Sequence, residues 1–361
     1  MEIVEPQPSL ETTAFSQADV EPFEFRDPER HELAMREAMD VLMVVDPKAH
    51  QEFSALLMNR DYIAPNTVPI LVPGQYIGSV INPERKYEAY QLAAAFPNRP
   101  ILLLDLPGNG RSDRFTEPQR QEILSDRRIS RVARALLNGA KTQFSNATEI
   151  DVLGTSLGGL ASLEMVAQAG QLDLKPRNFV GHEVVGLDEN RHPIGLMYGF
   201  LWVDYWDNKN RYQKDAAGER LRQGYQGFID ELEKYGYRDG QYLNDGGFYQ
   251  KEGYRFPARM MLFHSPIATT AGLAALELTL NQHPDFRAGF MNAGRSAVNI
   301  WPHIEPEARR LLSQYGDRLV WQLWPEDGHS VGTAPQLPRL TAFSQFIIEH
   351  HEAIRQGQPS Y

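Results

Sequence analysis

The chain has 361 residues, 42% of them hydrophobic and 23% charged, with no cysteine and a formal net charge of -11. It is long enough to bury a large core, and its composition is that of a globular protein. The charge argues against a general nucleic-acid binder, because nothing neutralises phosphates. The absence of cysteine excludes disulfides, thiolate metal sites and a cysteine nucleophile.

Residues 1–25, rich in Pro, Glu, Gln and Ser, read as a poorly ordered tail. Met1 to Pro6 carries neither a basic region nor an apolar run, and no stretch approaches ~18 uninterrupted apolar residues. The expectation is a cytoplasmic protein without a membrane span. Asp27-Pro28-Glu29 supplies an N-cap, a first-turn proline and an early acid. This predicts a packing helix through Leu33, Ala38, Leu42 and Val45, so residues 1–65 are assigned to a tail and a helix.

From Val68 the pattern changes. Val68 to Val72 ends in Pro73-Gly74, Ile101 to Leu104 ends in Asp105, and Glu149 to Leu153 ends in Gly154. Short apolar runs closed by turn residues and separated by helical stretches are what a buried parallel sheet requires. Lys86 to Phe96 and Ile123 to Leu137 provide helices, and Val180 to Val185 provides a further strand. Residues 66–186 therefore form the first part of an α/β core.

Between residues 195 and 256 the composition shifts to 15 aromatics in 62 residues, against 10% for the whole chain. Residues 187–285 are assigned to an inserted, mainly helical cap, whose aromatics serve as its own core and as a pocket lining. Residues 286–361 return to the core, with strands at Arg287 to Asn292 and Arg318 to Leu323. Helices follow at Glu305 to Tyr315 and Leu340 to Ile354, the latter placing His350 and His351 in solvent.

The chemistry centres on Gly154-Thr155-Ser156-Leu157-Gly158, where a strand runs into a tight turn and then a helix. Glycines two before and two after the serine allow the sharp turn that exposes a nucleophile at the end of a strand. The amides of the following helix face a developing oxyanion. A serine nucleophile needs a base, which in this chain order follows a late strand. Of ten histidines, His329 fits, coming after Arg318 to Leu323 and the turn Trp324 to Gly328. His264 reads as a helical or pocket-lining residue.

Asp105-Leu106-Pro107-Gly108-Asn109-Gly110-Arg111-Ser112 then resembles the D-x-P-G-x-G-x-S motif of the lipase and esterase-like α/β-hydrolase family. With the elbow and Gly328-His329, the resemblance covers the core from about Val68 onward, outside the aromatic insert. It implies a mostly parallel central sheet with helices on both faces. It also implies an oxyanion hole from the turn after the third strand, here Pro73-Gly74-Gln75-Tyr76, so that the Gln75 and Leu157 amides are the donors.

The family's usual acid position reads Asn292 to Val298 and holds no carboxylate. Some relatives carry the acid one core strand earlier. On that placement Glu183 is the candidate and Asp188 the alternative, while Asp327 lies close to His329 in sequence.

The resulting expectation is hydrolysis of an ester or related acyl bond by Ser156, with His329 as base and Glu183 orienting it. An acyltransferase, a C–C bond hydrolase or a non-catalytic ligand-binding protein of the same fold are the alternatives. No cofactor or metal is implied, the partner is a small apolar or aromatic acyl compound, and a homo-oligomer is left open.

Overall fold

A computed structural model describes residues 38–48, 50–65, 67–74, 83–108, 111–113, 115–126, 129–188, 265–296, 299–325, 327 and 337–357. Eight strands form one sheet: β1 (Met39–Asp46), β2 (Gln51–Met58), β3 (Ile70–Pro73), β4 (Ile101–Leu104), β5 (Glu149–Thr155), β6 (Lys175–His182), β7 (Arg287–Ala293) and β8 (Leu319–Trp324). Their order is β1-β2-β4-β3-β5-β6-β7-β8. Only β2 runs against its neighbours; from β4 to β8 every pair is parallel.

The helices are α1 (Pro83–Ala95), α2 (Glu117–Asp126), α3 (Ser130–Gln143), α4 (Ser156–Gln168), α5 (Ser265–Gln282), α6 (Trp301–Tyr315) and α7 (Leu337–Arg355). Because successive strand residues point to opposite faces, Leu153 and Val180 pack against Leu92, Phe343 and Ile347 of α1 and α7. Val152 and Phe179 pack on the other face with Leu136, Leu163, Leu276 and Leu311 of α3 to α6. The result is a sheet between two helical layers.

The sheet starts earlier than the sequence pattern predicts. Residues 39–46 form β1, not the end of a helix; Val41, Met43 and Val45 face the core while Leu42 and Val44 stay exposed. Leu42 to Val45 is an apolar run too short for periodicity to separate strand from helix. The expected helix over 123–137 is divided between α2 and α3. The strand expected to reach Val185 ends at His182, because Glu183 turns to φ 49. Helix α5, assigned by sequence to the cap, packs on α4 as part of the core layers.

Two polar clusters brace the layers. In the motif after β4, the Asp105 carboxylate accepts from Ser54 Oγ at 2.5 Å and Ser112 Oγ accepts from Ser54 N at 2.9 Å. That motif clamps its loop onto β2. At the amino ends of the strands, buried Asp151 accepts from Arg99 and from Asn178. His351 is fully buried there with its Nδ1 3.1 Å from Asn178 Oδ1, so the expectation of a solvated histidine is corrected. The apolar positions Leu340, Phe343, Ile347 and Ile354 share one face of α7, and His351, at helical spacing between the last two, lies on that same face. Among the described residues no helix is long and apolar enough to cross a membrane.

Candidate active site at the strand ends

Strand β3 has β4 on one side and β5 on the other, so the chain reverses its direction of winding there. In an open α/β sheet such a reversal leaves a crevice beyond the carboxyl ends of the strands, and ligands bind in it. Ser156 lies at that end of β5, and Pro73-Gly74 at that end of β3.

Ser156 has φ 54, in the region that residues with a side chain rarely adopt, and it opens α4. The surrounding glycines make this turn possible. A Cβ on Gly154 would come within 2.4 Å of Ser162 Oγ and 2.7 Å of Gly159 Cα. A Cβ on Gly158 would lie 2.5 Å from the Gly74 carbonyl oxygen and 2.7 Å from that of Pro73. The missing side chain at Gly158 thus lets the end of β3 close onto the first turn of α4. Ser156 and Leu157 are buried, and Val185 N donates to the Ser156 carbonyl at 3.3 Å. Thr155 makes no side-chain cap on α4, whose N-terminal turn points its backbone amides toward the carboxyl end of β5.

Glu183 leaves β6 with its side chain wholly buried. Its Oε1 accepts from Ala293 N at 2.6 Å and from Asn292 Nδ2 at 3.4 Å, and its Oε2 accepts from Asn299 Nδ2 at 3.4 Å. The Asn292 amide is oriented by Trp321, whose Nε1 donates to its Oδ1 at 2.8 Å. A carboxylate from β6 therefore sits at the end of β7, where the sequence offers only asparagine. Asp188, the alternative, is also buried, but its Oδ2 lies 3.3 Å from Nδ1 of His303 on α6.

The turn after β8 is held beside the same place. Gly294 N donates to the Trp324 carbonyl and Arg295 N to that of Asp327, two residues before His329. Asp327 Oδ2 accepts from Arg339 Nη1 at 3.1 Å, and the Arg339 guanidinium lies 4.0 Å from the centre of the Trp324 ring. Ser156, Leu157, Glu183 and Asp327 thus lie at the carboxyl ends of β5, β6 and β8. Gln75, His329, His264 and the aromatic residues 195–256 lie outside the described residues.

Asn292, Asn299 and Arg339 escaped the sequence reading. Their roles depend on contacts across more than a hundred residues, or across a turn, and no local motif marks them. Among the described residues no group of three or more His, Asp or Glu could hold a metal ion.

No protein-family model and no curated protein matches the chain. Among solved structures, a bromoperoxidase from Bacillus anthracis is 11% identical, with a TM-score of 0.50, over 88% of this chain and 99% of that one. An alpha/beta hydrolase enzyme from a Medee basin deep-sea metagenome library is 13% identical at a TM-score of 0.49, over 85% and 97%. An epoxide hydrolase from Vigna radiata is 11% identical at 0.49, over 89% and 99%. The strand order, the lone antiparallel β2 and the tight strand-to-helix turn are together those of the α/β-hydrolase fold, which is the fold of this chain.

Proposed function

We propose that the protein is a serine hydrolase that cleaves an ester or related acyl bond through an acyl-enzyme on Ser156. The observation that carries this reading is Ser156 at φ 54 between β5 and α4, with Gly158 seated against Pro73-Gly74. The close approach of Pro73-Gly74 to the first turn of α4 supports a two-donor oxyanion hole from the Gln75 and Leu157 amides.

In this reading His329 takes the Ser156 proton as Oγ attacks the acyl carbon. The Gln75 and Leu157 amides hold the oxyanion, and His329 returns the proton to the leaving group. Water, activated by the same histidine, then releases the acid. Glu183 orients the imidazole. Its support is the placement of its carboxylate against Ala293 N, two residues from the Arg295 amide that anchors Asp327. The aromatic composition of residues 195–256 supports an apolar or aryl acyl group as substrate.

Labelling with a fluorophosphonate tests the nucleophile: Ser156 is modified in the folded protein, and Ser156→Ala abolishes both labelling and turnover. A folded wild-type protein that resists labelling beside a reactive control esterase would sink the proposal. Esters of graded chain length test the substrate class, with faster turnover expected for apolar acyl groups.

A further inference from the structure

Behind the elbow, on the face covered by α1 and α7, His182 is buried at the last position of β6. It stands directly across from Thr155 in the β5–β6 register, beside the nucleophile on one strand and beside Glu183 on the other. Its Nδ1 is 3.3 Å from Thr155 Oγ1, and its Nε2 is 3.3 Å from Ser344 Oγ on α7.

The hydroxyl partners settle which nitrogen carries the proton. Ser344 spends its one hydrogen on the Leu340 carbonyl, at 2.8 Å. It can only accept from the imidazole, so Nε2 holds the proton and donates. Nδ1 is then the acceptor, and Thr155 Oγ1–H donates to it. A directional relay runs from Thr155 through His182 and Ser344 to the α7 backbone. Burial lowers the His182 pKa from 6.5 to about 3, so the relay stays neutral over the range in which most enzymes work.

The adjoining cavity measures about 10 Å³ and is lined by Glu88, Thr155, His182, Thr341 and Ser344, among others. That is room for about one water, too little for a substrate within this cavity. We infer that His182 is a positioning residue: through Thr155 it fixes the setting of Ser156, and through Ser344 it fixes α7 against the same strands. The inference rests on Ser156 being the nucleophile.

Fixing matters because a displacement of ~1 Å at a reacting group can cost about 100-fold in rate. Leu in place of His182 fills similar space and breaks both hydrogen bonds. Gln can accept from Thr155 through Oε1 and donate to Ser344 through Nε2. The experiment measures fluorophosphonate labelling of Ser156, and kcat and KM on a p-nitrophenyl ester, for wild type, His182→Leu, His182→Gln and Ser344→Ala. Nitrogen NMR on histidine-labelled wild type reads the tautomer.

The expected result is a loss of roughly 10- to 100-fold in labelling rate and kcat for His182→Leu, with KM within about twofold. His182→Gln recovers most of the loss, Ser344→Ala shows a smaller one, and His182 remains an Nε2–H tautomer that does not titrate near pH 6.5. Folded His182→Leu that labels at the wild-type rate, Gln no better than Leu, or an Nδ1–H tautomer each overturns the inference. If the Leu variant does not fold, Ser344→Ala decides, and wild-type kinetics there also overturn it. A wild-type protein that does not label removes the nucleophile itself, and the positioning role with it.

Discussion

A serine at φ 54 costs on the order of 1–3 kcal/mol, and the surroundings must hold it there. At Ser156 they do so by close packing, with Gly158 against the carbonyls of Pro73 and Gly74 and Gly159 against Val184. Gly158→Ala forces its methyl within 2.5 Å of a backbone oxygen that has no freedom to swing away. The expected loss is about 1–3 kcal/mol in urea unfolding, as for other overpacked sites, together with a fall in Ser156 labelling. Wild-type labelling in that variant would mean that the β3 turn does not help build the site.

Glu183→Gln keeps one acceptor for Ala293 N but turns an amide NH2 toward donors. It should lower kcat by a factor between ten and ~10⁴, the upper figure being the loss when an imidazole is held in the wrong tautomer. Asp188→Asn, whose carboxylate faces His303, should cost far less. Equal losses in the two variants would dismiss Glu183 as the orienting acid.

Between elements, the most consequential join is Arg339 of α7 on Asp327 and Trp324 of the turn after β8. Both partners are more than four-fifths covered, so the pair is only weakly screened by solvent. Arg339→Met leaves a covered carboxylate without this cation; about 1–3 kcal/mol of stability is expected to go, somewhat below the 3–5 kcal/mol of a fully buried pair. Because the same turn leads to His329, kcat should fall more than KM rises. A stability loss with unchanged kcat would separate the turn from the chemistry.

Elements with local punctuation were legible in the sequence. Ile101 to Leu104 is bounded by Pro100 and Asp105 and is β4 to the residue. Glu149 onward, closed by the elbow glycines, is β5. The strand β1 was not legible, because its exposed residues Leu42 and Val44 are as apolar as its buried ones and the alternation disappears. Glu183 was singled out by the family resemblance, which allows the acid after the preceding core strand. Its contacts with Asn292, Ala293 and Asn299 arise only once β6 and β7 lie side by side.

Over the whole molecule, two buried neutral histidines make folding sensitive to acid. His182 has its pKa lowered by burial, and His351 has its own lowered well below 6.5 by burial and by Arg287 and Arg355. In the unfolded chain both take up a proton below about pH 6.5; in the folded protein His182 does so only near pH 3. The unfolded state therefore binds more protons between those values, and stability drops as the pH falls through that window. From pH 6.5 to 5 the His182 share is about 2 kcal/mol. Urea unfolding at the two pH values should show His182→Gln losing less stability than wild type across this interval. Parallel pH dependence in both proteins would contradict the assignment.

The chain leaves the described core after Asp188 and re-enters it at Ser265. Just inside those points Leu273 N donates to the Gly186 carbonyl at 3.0 Å, and a Cβ on Gly272 would stand 2.8 Å from that oxygen. Exit and return are thus stitched together by the core itself, before anything between them is counted. Lengthening or shortening such a tethered excursion changes its closure entropy only slowly, by about 0.6 kcal/mol for each doubling. The junction works as a graft point, at which residues 189–264 can be exchanged for another insert while the described core keeps its register.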